Sequence, residues 1–368
     1  MDYYNTLKEL VKNGYLEILY IVSPPRTLST ILEICLSEYG DGQIHEPFHK
    51  RRRLDFNDGC RIIYERYLYL SDKLDKKHIK LVIKDLSKFV KLDEWQMLLD
   101  ISNRFVFTIR EPSRQIFSMA SRYANDLDNY DVDNLSYKQI LSNLDRIPFE
   151  DLADKYWRNL QCLFDATVDH LNSRVGKNKC MAIVSGITFR HDIADSLSKL
   201  LLQLNIKLEL YKFIGNWSVG SSKNFYRPEY VINNTNKDKD FRNGAWLGSA
   251  LNSTEFNKLN LEDGSPVDIG IYDKKLQNYF LSDILPVYVD MYFNKYNVCK
   301  PSIEFVFGQD FESSDLFRIN PIESLLLNNS FTPISEPQKV IKESNDTKLK
   351  EIIEEKYPCI YNTLVNLI

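Results

Sequence analysis

The stretch LEILYIVSPPRTLST, Leu16–Thr30, decides the fold of this chain. Its first half, Leu16–Ser23, is an almost continuous run of apolar residues, which is typical of a strand covered on both faces. Its second half has two prolines and an arginine, and apolar residues then recur at helical spacing from Leu28 to Cys35. The sequence therefore predicts a buried strand, a tight loop and a helix, the unit from which parallel α/β sheets are built.

Four further segments have the character of this strand, and helical patterns lie between them. The apolar residues of 116–123 and of 193–204 keep helical spacing, and Leu281–Tyr296 reads as a closing helix. Alternating strands and helices predict an α/β fold, a mainly parallel sheet flanked by helices with right-handed crossovers. The further strands are predicted at Lys80–Lys84, Arg104–Arg110, Lys179–Ser185 and Lys207–Phe213.

Length and composition indicate the domain organisation, the classes of partner and the compartment. The 368 residues predict an α/β domain over 1–300 and a C-terminal extension over 301–368, with a linker and a terminal helix. A net charge of −4 and the lack of a long apolar run favour neither nucleic acid nor a membrane as partner. The six cysteines form no CxxC pair and are predicted to be buried thiols of a reducing compartment. With no signal pattern at the N-terminus, we expect a cytoplasmic protein.

The loop after the first strand is a candidate anion site, because ligands of open parallel sheets bind beyond the carboxyl ends of strands. Helix amides and the helix dipole hold anions there, Ser29 and Thr30 add hydroxyl groups, and Arg26 adds a positive charge. The glycines and the lysine of a Walker loop are missing, and no carboxylate is placed for magnesium. This pattern predicts a doubly charged group bound without metal; the alternative is an ordinary helix start with a surface arginine.

A second candidate follows the strand predicted at Arg104–Arg110. Arg110 ends that strand, Pro112 suits the first turn of a helix, and Ser118 lies about two turns further on. An arginine at a strand end and a serine on the next helix can bind one phosphate together. The alternative is that Arg110 pairs with Glu111 or with solvent.

Together, the stretches PRTLST and REPSRQIFS resemble the sulfotransferase family that uses 3′-phosphoadenosine 5′-phosphosulfate (PAPS). The resemblance implies a P-loop NTPase-like architecture over roughly the first 300 residues. It assigns the 3′-phosphate to Arg110 and Ser118. The chain departs from the family pattern at Thr27-Leu28, where a small pair such as Ser-Gly is usual. By the resemblance, the 5′-phosphosulfate loop consists of Arg26, Thr27, Leu28, Ser29 and Thr30.

The segment GDGQIHEPFHK is similar to one that faces the acceptor in bacterial members of the family. Glu46 is the candidate general base, or the residue that orients the acceptor. His45 and His49 are its rivals, because histidine titrates near neutrality. Lys84, or Asp85 beside it, follows the next strand; Lys84 would neutralise the sulfuryl group, and a salt bridge is its alternative role.

Three further features are less specific. Ser185 ends a strand at the place where the family contacts adenine, although the acidic residues of that family segment are absent. Arg242 resembles the arginine of a loop over the 3′-phosphate; alternatively, this segment matches a family pattern that stresses Trp246 and Ser253. The run KRRR, 50–53, either attracts an anionic ligand or is a solvated charge run, and the latter is the expectation.

These features predict a sulfotransferase that moves a sulfuryl group from PAPS to a hydroxyl or amine of a small-molecule acceptor, leaving adenosine 3′,5′-bisphosphate and requiring no metal. Arg26 and Lys84 would stabilise charge, and Glu46 or a neighbouring histidine, His45 or His49, would receive the proton. The alternatives are an ATP-dependent kinase on the same scaffold and a catalytically inactive module that binds a nucleotide or an anion.

Overall fold

A computed structural model describes most of the first two hundred residues and short parts of the remainder. Its centre is a parallel five-stranded sheet with the strand order β2-β3-β1-β4-β5, so that β1 lies in the middle. β1 pairs in parallel with β3 and with β4, and β2 pairs in parallel with β3. The described residues are 1–110, 112, 115–116, 118–120, 123, 144–173, 179–185, 200–201, 203–206, 226–228 and 283–291.

Four of the predicted strands are confirmed, and the first matches residue for residue. The strand predicted at Lys207–Phe213 lies outside the described residues. The sequence analysis missed one edge strand, which falls inside the segment that was assigned to the acceptor. The strands are β1 (Leu16–Ser23), β2 (Gly42–His45), β3 (Ile79–Leu86), β4 (Arg104–Ile109) and β5 (Cys180–Ser185).

Helices lie against the sheet in the described part of the chain: α1 (Tyr3–Lys12), α2 (Ser29–Ser37), α3 (Phe56–Leu74), α4 (Leu92–Ile101) and α5 (Asn159–Asn172). α1 and α3 each begin at an aspartate whose carboxylate accepts a hydrogen bond from the helix backbone. Short turns lie at Ser87–Phe89 and Leu144–Arg146, and the stretches Phe149–Asp151 and Leu152–Arg158, the latter with π-helical hydrogen bonding, lead into α5. Within the predicted closing helix, α6 (Leu285–Asp290) is helical.

The two faces of the sheet differ in chemistry. His45, Lys84 and Ile21 are in register across β2, β3 and β1, so their side chains share a face, which we call the α2 face because His45 contacts Glu33 of α2. The opposite face, the aromatic face, packs against α4 and α5. Its contacts include edge-to-face pairs between Tyr20 and Trp95, with ring centroids 5.3 Å apart, and between Phe107 and Phe164, 5.1 Å apart.

The chain divides into two compact units. The first contains Met1–Thr108, Asn159–Val184 and the described residues of Leu200–Asn257, and it holds nearly all of the sheet. The second contains the described residues of Ile109–Arg158, Ser185–Lys199 and Lys258–Ile368. Its buried centre is Trp157, whose indole donates a hydrogen bond of 2.9 Å to Gln115 and meets the ring of Tyr288 edge to face. The predicted boundary at residue 300 lies outside the described residues.

Candidate active site

The loop between β1 and α2 turns sharply without any glycine. Arg26 and Leu28 have left-handed backbones, with φ of 64° and 68°. That conformation is the one glycine adopts freely and costs another residue about 1–2 kcal/mol. Leu28 is also the N-cap of α2, and its side chain accepts no hydrogen bond from the helix. The N-cap therefore leaves the first-turn amides to other acceptors, an arrangement suited to binding an anion.

The hydroxyl groups of this loop hold the loop itself in place. Thr27 Oγ1 donates to the carbonyl of Pro24 at 3.0 Å and lies 2.6 Å from Thr108 Oγ1. Because a hydroxyl has one hydrogen, Thr108 donates to Thr27. Ser23 Oγ donates to Ser29 Oγ at 2.8 Å. The predicted ligand hydroxyls of Thr27 and Ser29 are thus engaged within the first unit, while Thr30 is half-buried at the start of α2.

The loop lies at the point where the chain connections diverge. The chain leaves β1 through α2 for β2 at one edge of the sheet, whereas β5, at the other edge, lies beyond β4. In an open α/β sheet, the crevice between two neighbouring strands whose connections run in opposite directions is the usual ligand site. β1 and β4 are such neighbours, and the bond between Thr27 and Thr108 joins their carboxyl ends.

A buried charged cluster lies on the α2 face, at the carboxyl ends of β2 and β3. Lys84 Nζ donates to Glu46 Oε1 at 2.6 Å, and His45 Nε2 lies 3.5 Å from the same oxygen. On its other side, His45 Nδ1 is 2.7 Å from Glu33 Oε2. All four residues are buried, Glu33 completely. We call Glu33, His45, Glu46 and Lys84 the carboxyl-edge cluster.

Burial and neighbouring charges set the protonation of this cluster. Burial by itself would raise the pKa of Glu46, but the ammonium of Lys84, followed by His45 and Arg52, brings that pKa well below its ordinary value. Burial raises the pKa of Glu33 well above its ordinary value. It also lowers the pKa of His45 well below the usual range, although the Glu46 carboxylate opposes this. The cluster is therefore an ion pair between Lys84 and Glu46, with an imidazole that resists protonation beside it.

The backbone turns at Glu46 so that its side chain meets Lys84. Strict alternation along β2 would place the residue after His45 on the aromatic face. Glu46 instead has a left-handed backbone with φ 55°, and its amide donates to the carbonyl of Lys84 at 2.7 Å. The guanidinium of Arg52 donates to the carbonyls of both His45 and Glu46, the latter at 2.7 Å. Arg52 thus fixes the turn from which the carboxylate projects.

The basic run at 50–53 is only half solvated, which corrects the expectation of a solvated charge run. Lys50 and Arg51 are exposed, but Arg52 is completely buried. Arg53 binds both carboxylate oxygens of Glu94, at 2.7 and 2.8 Å, in a bidentate pair. Arg52 and Arg53 therefore have structural roles, because Arg52 binds backbone carbonyls and Arg53 binds the Glu94 carboxylate.

Asp85 belongs to the aromatic face and not to the cluster. Its carboxylate accepts hydrogen bonds from the hydroxyl of Tyr20 at 2.5 Å and from the amide of Phe48 at 3.2 Å. Burial, only partly offset by the Tyr20 hydrogen bond, raises the pKa of Asp85 to about 7. Of the two residues predicted at this strand end, Lys84 is therefore the one beside Glu46, and the salt bridge foreseen as its alternative role is present.

His49, the other rival base, lies just beyond the turn. Its ring contacts that of Phe89, with centroids 4.2 Å apart, and its Nδ1 accepts a hydrogen bond of 3.2 Å from the amide of Arg51. Burial lowers the pKa of His49 to about 3, against the opposing effect of Glu46. The side chain is half-buried, and because Nδ1 accepts, a neutral ring carries its hydrogen on Nε2.

The remaining predicted residues lie elsewhere. Arg110 and Ser118 belong to the second unit and are half-buried, and Ser118 is helical as expected. Ser185 is the last residue of β5, and its side chain is not described. Arg242 lies outside the described residues, as do Trp246 and Ser253.

Two residues of the site escaped the sequence analysis. Glu33 occupies the buried side of α2, within STILEICLS, where it is the one charged residue; a carboxylate on an apolar helix face was the available signal. Arg52 was hidden inside a basic run. Its role depends on backbone carbonyls six and seven positions earlier, which no side-chain pattern reveals.

The cysteines correct another expectation. Cys35 and Cys60 are buried thiols as predicted, but Cys162 is exposed and Cys180 is half-buried. All four are free, and burial raises the pKa of Cys60 to about 12. The other two cysteines lie outside the described residues.

A cavity of about 760 Å³ opens near the amino ends of the strands, away from the loop and the cluster. Its walls include Leu19, Leu36 and Val82, and Glu17 and Arg104 on its rim form an ion pair with each other. We assign the candidate site to the carboxyl edge because buried charge, left-handed loop residues and the diverging connections all occur there.

No protein-family model matches this chain, and no curated protein matches it. Among the described residues, no helix has the length and apolar character to cross a membrane, and no group of three or more histidine, cysteine, aspartate or glutamate side chains is arranged to hold a metal ion. The resemblance to sulfotransferases therefore rests on the two sequence motifs.

Proposed function

We propose that this protein is a PAPS-dependent sulfotransferase acting on a hydroxyl or amine of a small molecule. The observation that carries the proposal is the loop Pro24–Leu28, which follows the central strand at the switch point of a parallel sheet and leads into an uncapped helix. Of the alternatives, a kinase would need the Walker lysine and a magnesium carboxylate, which the loop sequence lacks.

The loop is suited to the 5′-phosphosulfate. Arg26 and Leu28 adopt the left-handed conformation that glycine would otherwise supply. The chain therefore turns tightly enough to present the amides of the first turn of α2. Arg26 is half-buried in that turn, and burial lowers the pKa of its guanidinium from a high starting value, which leaves it charged at neutral pH. The bound cofactor supplies an electrophilic sulfuryl group, and Arg26 with the helix amides would stabilise the charge on its oxygens.

Arg110 and Ser118 are proposed for the 3′-phosphate, Ser185 for the adenine side, and Arg242 for a covering loop. The support for these four comes from the sequence motifs. Arg110 directly follows β4, the strand that pairs with β1.

The acceptor proton needs a base, and the electrostatics of the cluster rank the candidates. Glu46 is ionised but weakly basic, because Lys84 holds its pKa low. It is better suited to orient the acceptor and to hold Lys84 than to keep a proton. His49 is a poor base too, because its Nδ1 lone pair accepts from the Arg51 amide, a neutral ring then carries its hydrogen on Nε2, and burial lowers its pKa. We propose that Glu46 orients the acceptor and that the acceptor proton passes through it to water or to the departing adenosine 3′,5′-bisphosphate, as the acceptor–sulfur bond forms and the bond from sulfur to the phosphate oxygen breaks.

Calorimetry with nucleotides tests the proposal. Adenosine 3′,5′-bisphosphate should bind without metal and at least tenfold more tightly than AMP, because the 3′-phosphate adds a charge-assisted contact of about 1.5–3 kcal/mol. Arg110→Ala should reduce that preference while leaving AMP affinity unchanged. Equal affinity for the two nucleotides would refute the 3′-phosphate site, and tight binding of ATP that depends on magnesium would favour the kinase. Binding without sulfuryl transfer to any acceptor would indicate an inactive module.

A further inference from the structure

The ring nitrogen of His45 that faces α2 lies closer to its partner than the ring nitrogen that faces Glu46. His45 Nδ1 lies 2.7 Å from Glu33 Oε2, whereas Nε2 lies 3.5 Å from Glu46 Oε1. The first is a short hydrogen bond, and one of its two atoms must carry the hydrogen. Which atom carries it decides whether the hydrogen on the ring faces Glu33 or Glu46.

The surroundings of Glu33 favour a neutral acid. Glu33 is completely buried, and its second oxygen, Oε1, is buried without a hydrogen-bond partner. An ionised carboxylate in that position would leave a charged oxygen with no donor, which is among the most costly arrangements in a protein interior. A carboxylic acid leaves only a neutral carbonyl oxygen, and its hydroxyl is free to donate to His45.

We propose that Glu33 is a positioning residue: its protonated carboxyl donates to Nδ1 of His45 and thereby fixes the ring as the Nε2–H tautomer, directed at Glu46. The Nε2–H group then supports the Glu46 carboxylate from the side opposite Lys84. This relay, a hydrogen bond from Glu33 to His45 followed by a 3.5 Å contact between His45 Nε2 and Glu46 Oε1, does not depend on the proposed function, whereas its effect on turnover rests on it.

This relay removes His45 from the list of bases. A ring whose Nδ1 accepts from Glu33 and whose Nε2 carries a hydrogen towards Glu46 has no lone pair left for an acceptor proton. Its contribution is geometric: it restricts the carboxylate to the orientation in which Oε1 meets Lys84. Glu33, His45 and Glu46 are all buried, so rotating any one of them away would leave a buried polar group without its partner. Because such a loss is costly, the three side chains are held in this orientation.

The tautomer is measured directly by two-bond ¹⁵N–¹H correlation spectroscopy of the folded protein labelled at its histidines, with His45 assigned through its own backbone. The expected spectrum shows an unprotonated Nδ1 and a protonated Nε2 at neutral pH. A protonated Nδ1, in either the other tautomer or the imidazolium, overturns the proposal. This measurement needs neither a variant nor an activity.

Two variants of Glu33 distinguish a role in positioning His45 from a general contribution to the stability of the fold. Glu33→Gln keeps the size and a donor amide, so it should preserve the Nε2–H tautomer and turnover. Glu33→Leu removes the donor and should reduce kcat about tenfold, the equivalent of one neutral hydrogen bond, with KM for the nucleotide unchanged. If Glu33→Gln moves the hydrogen to Nδ1, the relay is wrong. If the tautomer is as expected but the protein transfers no sulfuryl group, the proposed function fails and the relay stands.

Discussion

At the scale of single residues, the most consequential feature is the buried ion pair between Lys84 and Glu46. Each side chain is almost fully buried, and they meet at 2.6 Å. Replacing both charged residues of such a pair by apolar ones often costs little stability. Removing one of them is strongly destabilising, because the other charge then stays buried without a counter-charge. The sequence indicated both residues as functional candidates, but not their contact, because they are 38 positions apart and meet only through the pairing of β2 with β3.

Glu46→Gln should therefore lower the free energy of unfolding by about 3–5 kcal/mol, because it leaves the ammonium of Lys84 buried without a counter-charge. Urea denaturation measures this. The matched control is Glu65→Gln, which breaks the exposed pair with Arg61 and should cost less than about 0.5 kcal/mol.

The double variant Glu46→Gln with Lys84→Met should recover most of the loss. Equal effects of Glu46→Gln and the control would contradict the view that the pair is a buried unit. The activity of Glu46→Gln is informative only under conditions in which the variant is shown to be folded.

At the scale of elements, the sequence predicted what continuous apolar runs determine. β1 was predicted residue for residue because all but one of its side chains are buried. β2 was missed because it has four residues, with Gln43 and His45 on either side of a single apolar Ile44. Its strand conformation comes from pairing with β3 rather than from its own composition. The left-handed residues of the first loop were likewise invisible, since arginine and leucine have no preference for that conformation.

The contact between Thr27 and Thr108 ties the first loop to the neighbouring strand. Thr108→Val keeps the shape of the side chain and removes the hydroxyl that donates to Thr27. It should lower the free energy of unfolding by about 0.5–1.5 kcal/mol, and it should weaken binding of adenosine 3′,5′-bisphosphate by loosening the loop. Denaturation and calorimetry on the same sample measure both effects.

Thr6→Val is the control for that change, because its hydroxyl donates to the carbonyl of Asp2 on an exposed helix start. It should leave nucleotide affinity unaltered. If Thr108→Val binds the nucleotide with the affinity of the wild type, other contacts hold the loop in place. The hydrogen bond between Thr27 and Thr108 would then not contribute to the nucleotide site.

At the scale of the whole molecule, two ionisable groups, Asp85 on the aromatic face and His49 beyond the turn after β2, change stability in opposite directions as pH changes. The pKa of Asp85 is raised by burial to about 7, from an ordinary value of 3.8, so the folded state keeps a proton that the unfolded chain has lost. Its contribution to stability is present below about pH 4 and is lost as pH rises towards 7. The pKa of His49 is lowered to about 3, so the unfolded chain binds the extra proton and stability falls as pH drops below about 6.5.

Asp85→Asn should separate these effects. At pH 5 the folded wild type keeps Asp85 protonated, and an amide replaces that acid closely, because its oxygen accepts from the Phe48 amide and its nitrogen donates to the Tyr20 hydroxyl. The variant should therefore gain stability relative to the wild type between pH 5 and pH 8, by at least about 1.4 kcal/mol, the equivalent of one pKa unit. Denaturation curves at the two pH values measure this, and parallel profiles would contradict a raised pKa at Asp85.

The central place of β1 has a consequence for how the chain is made. β1 precedes both of its partners in the chain, since β3 and β4 begin only at Ile79 and Arg104. At roughly 5–20 residues per second, a nascent chain carries this apolar strand with both edges unpaired for several seconds. During that interval its edges are open to chaperones and to pairing with other chains. The strand at the centre of the finished sheet therefore depends on partners that synthesis supplies only later.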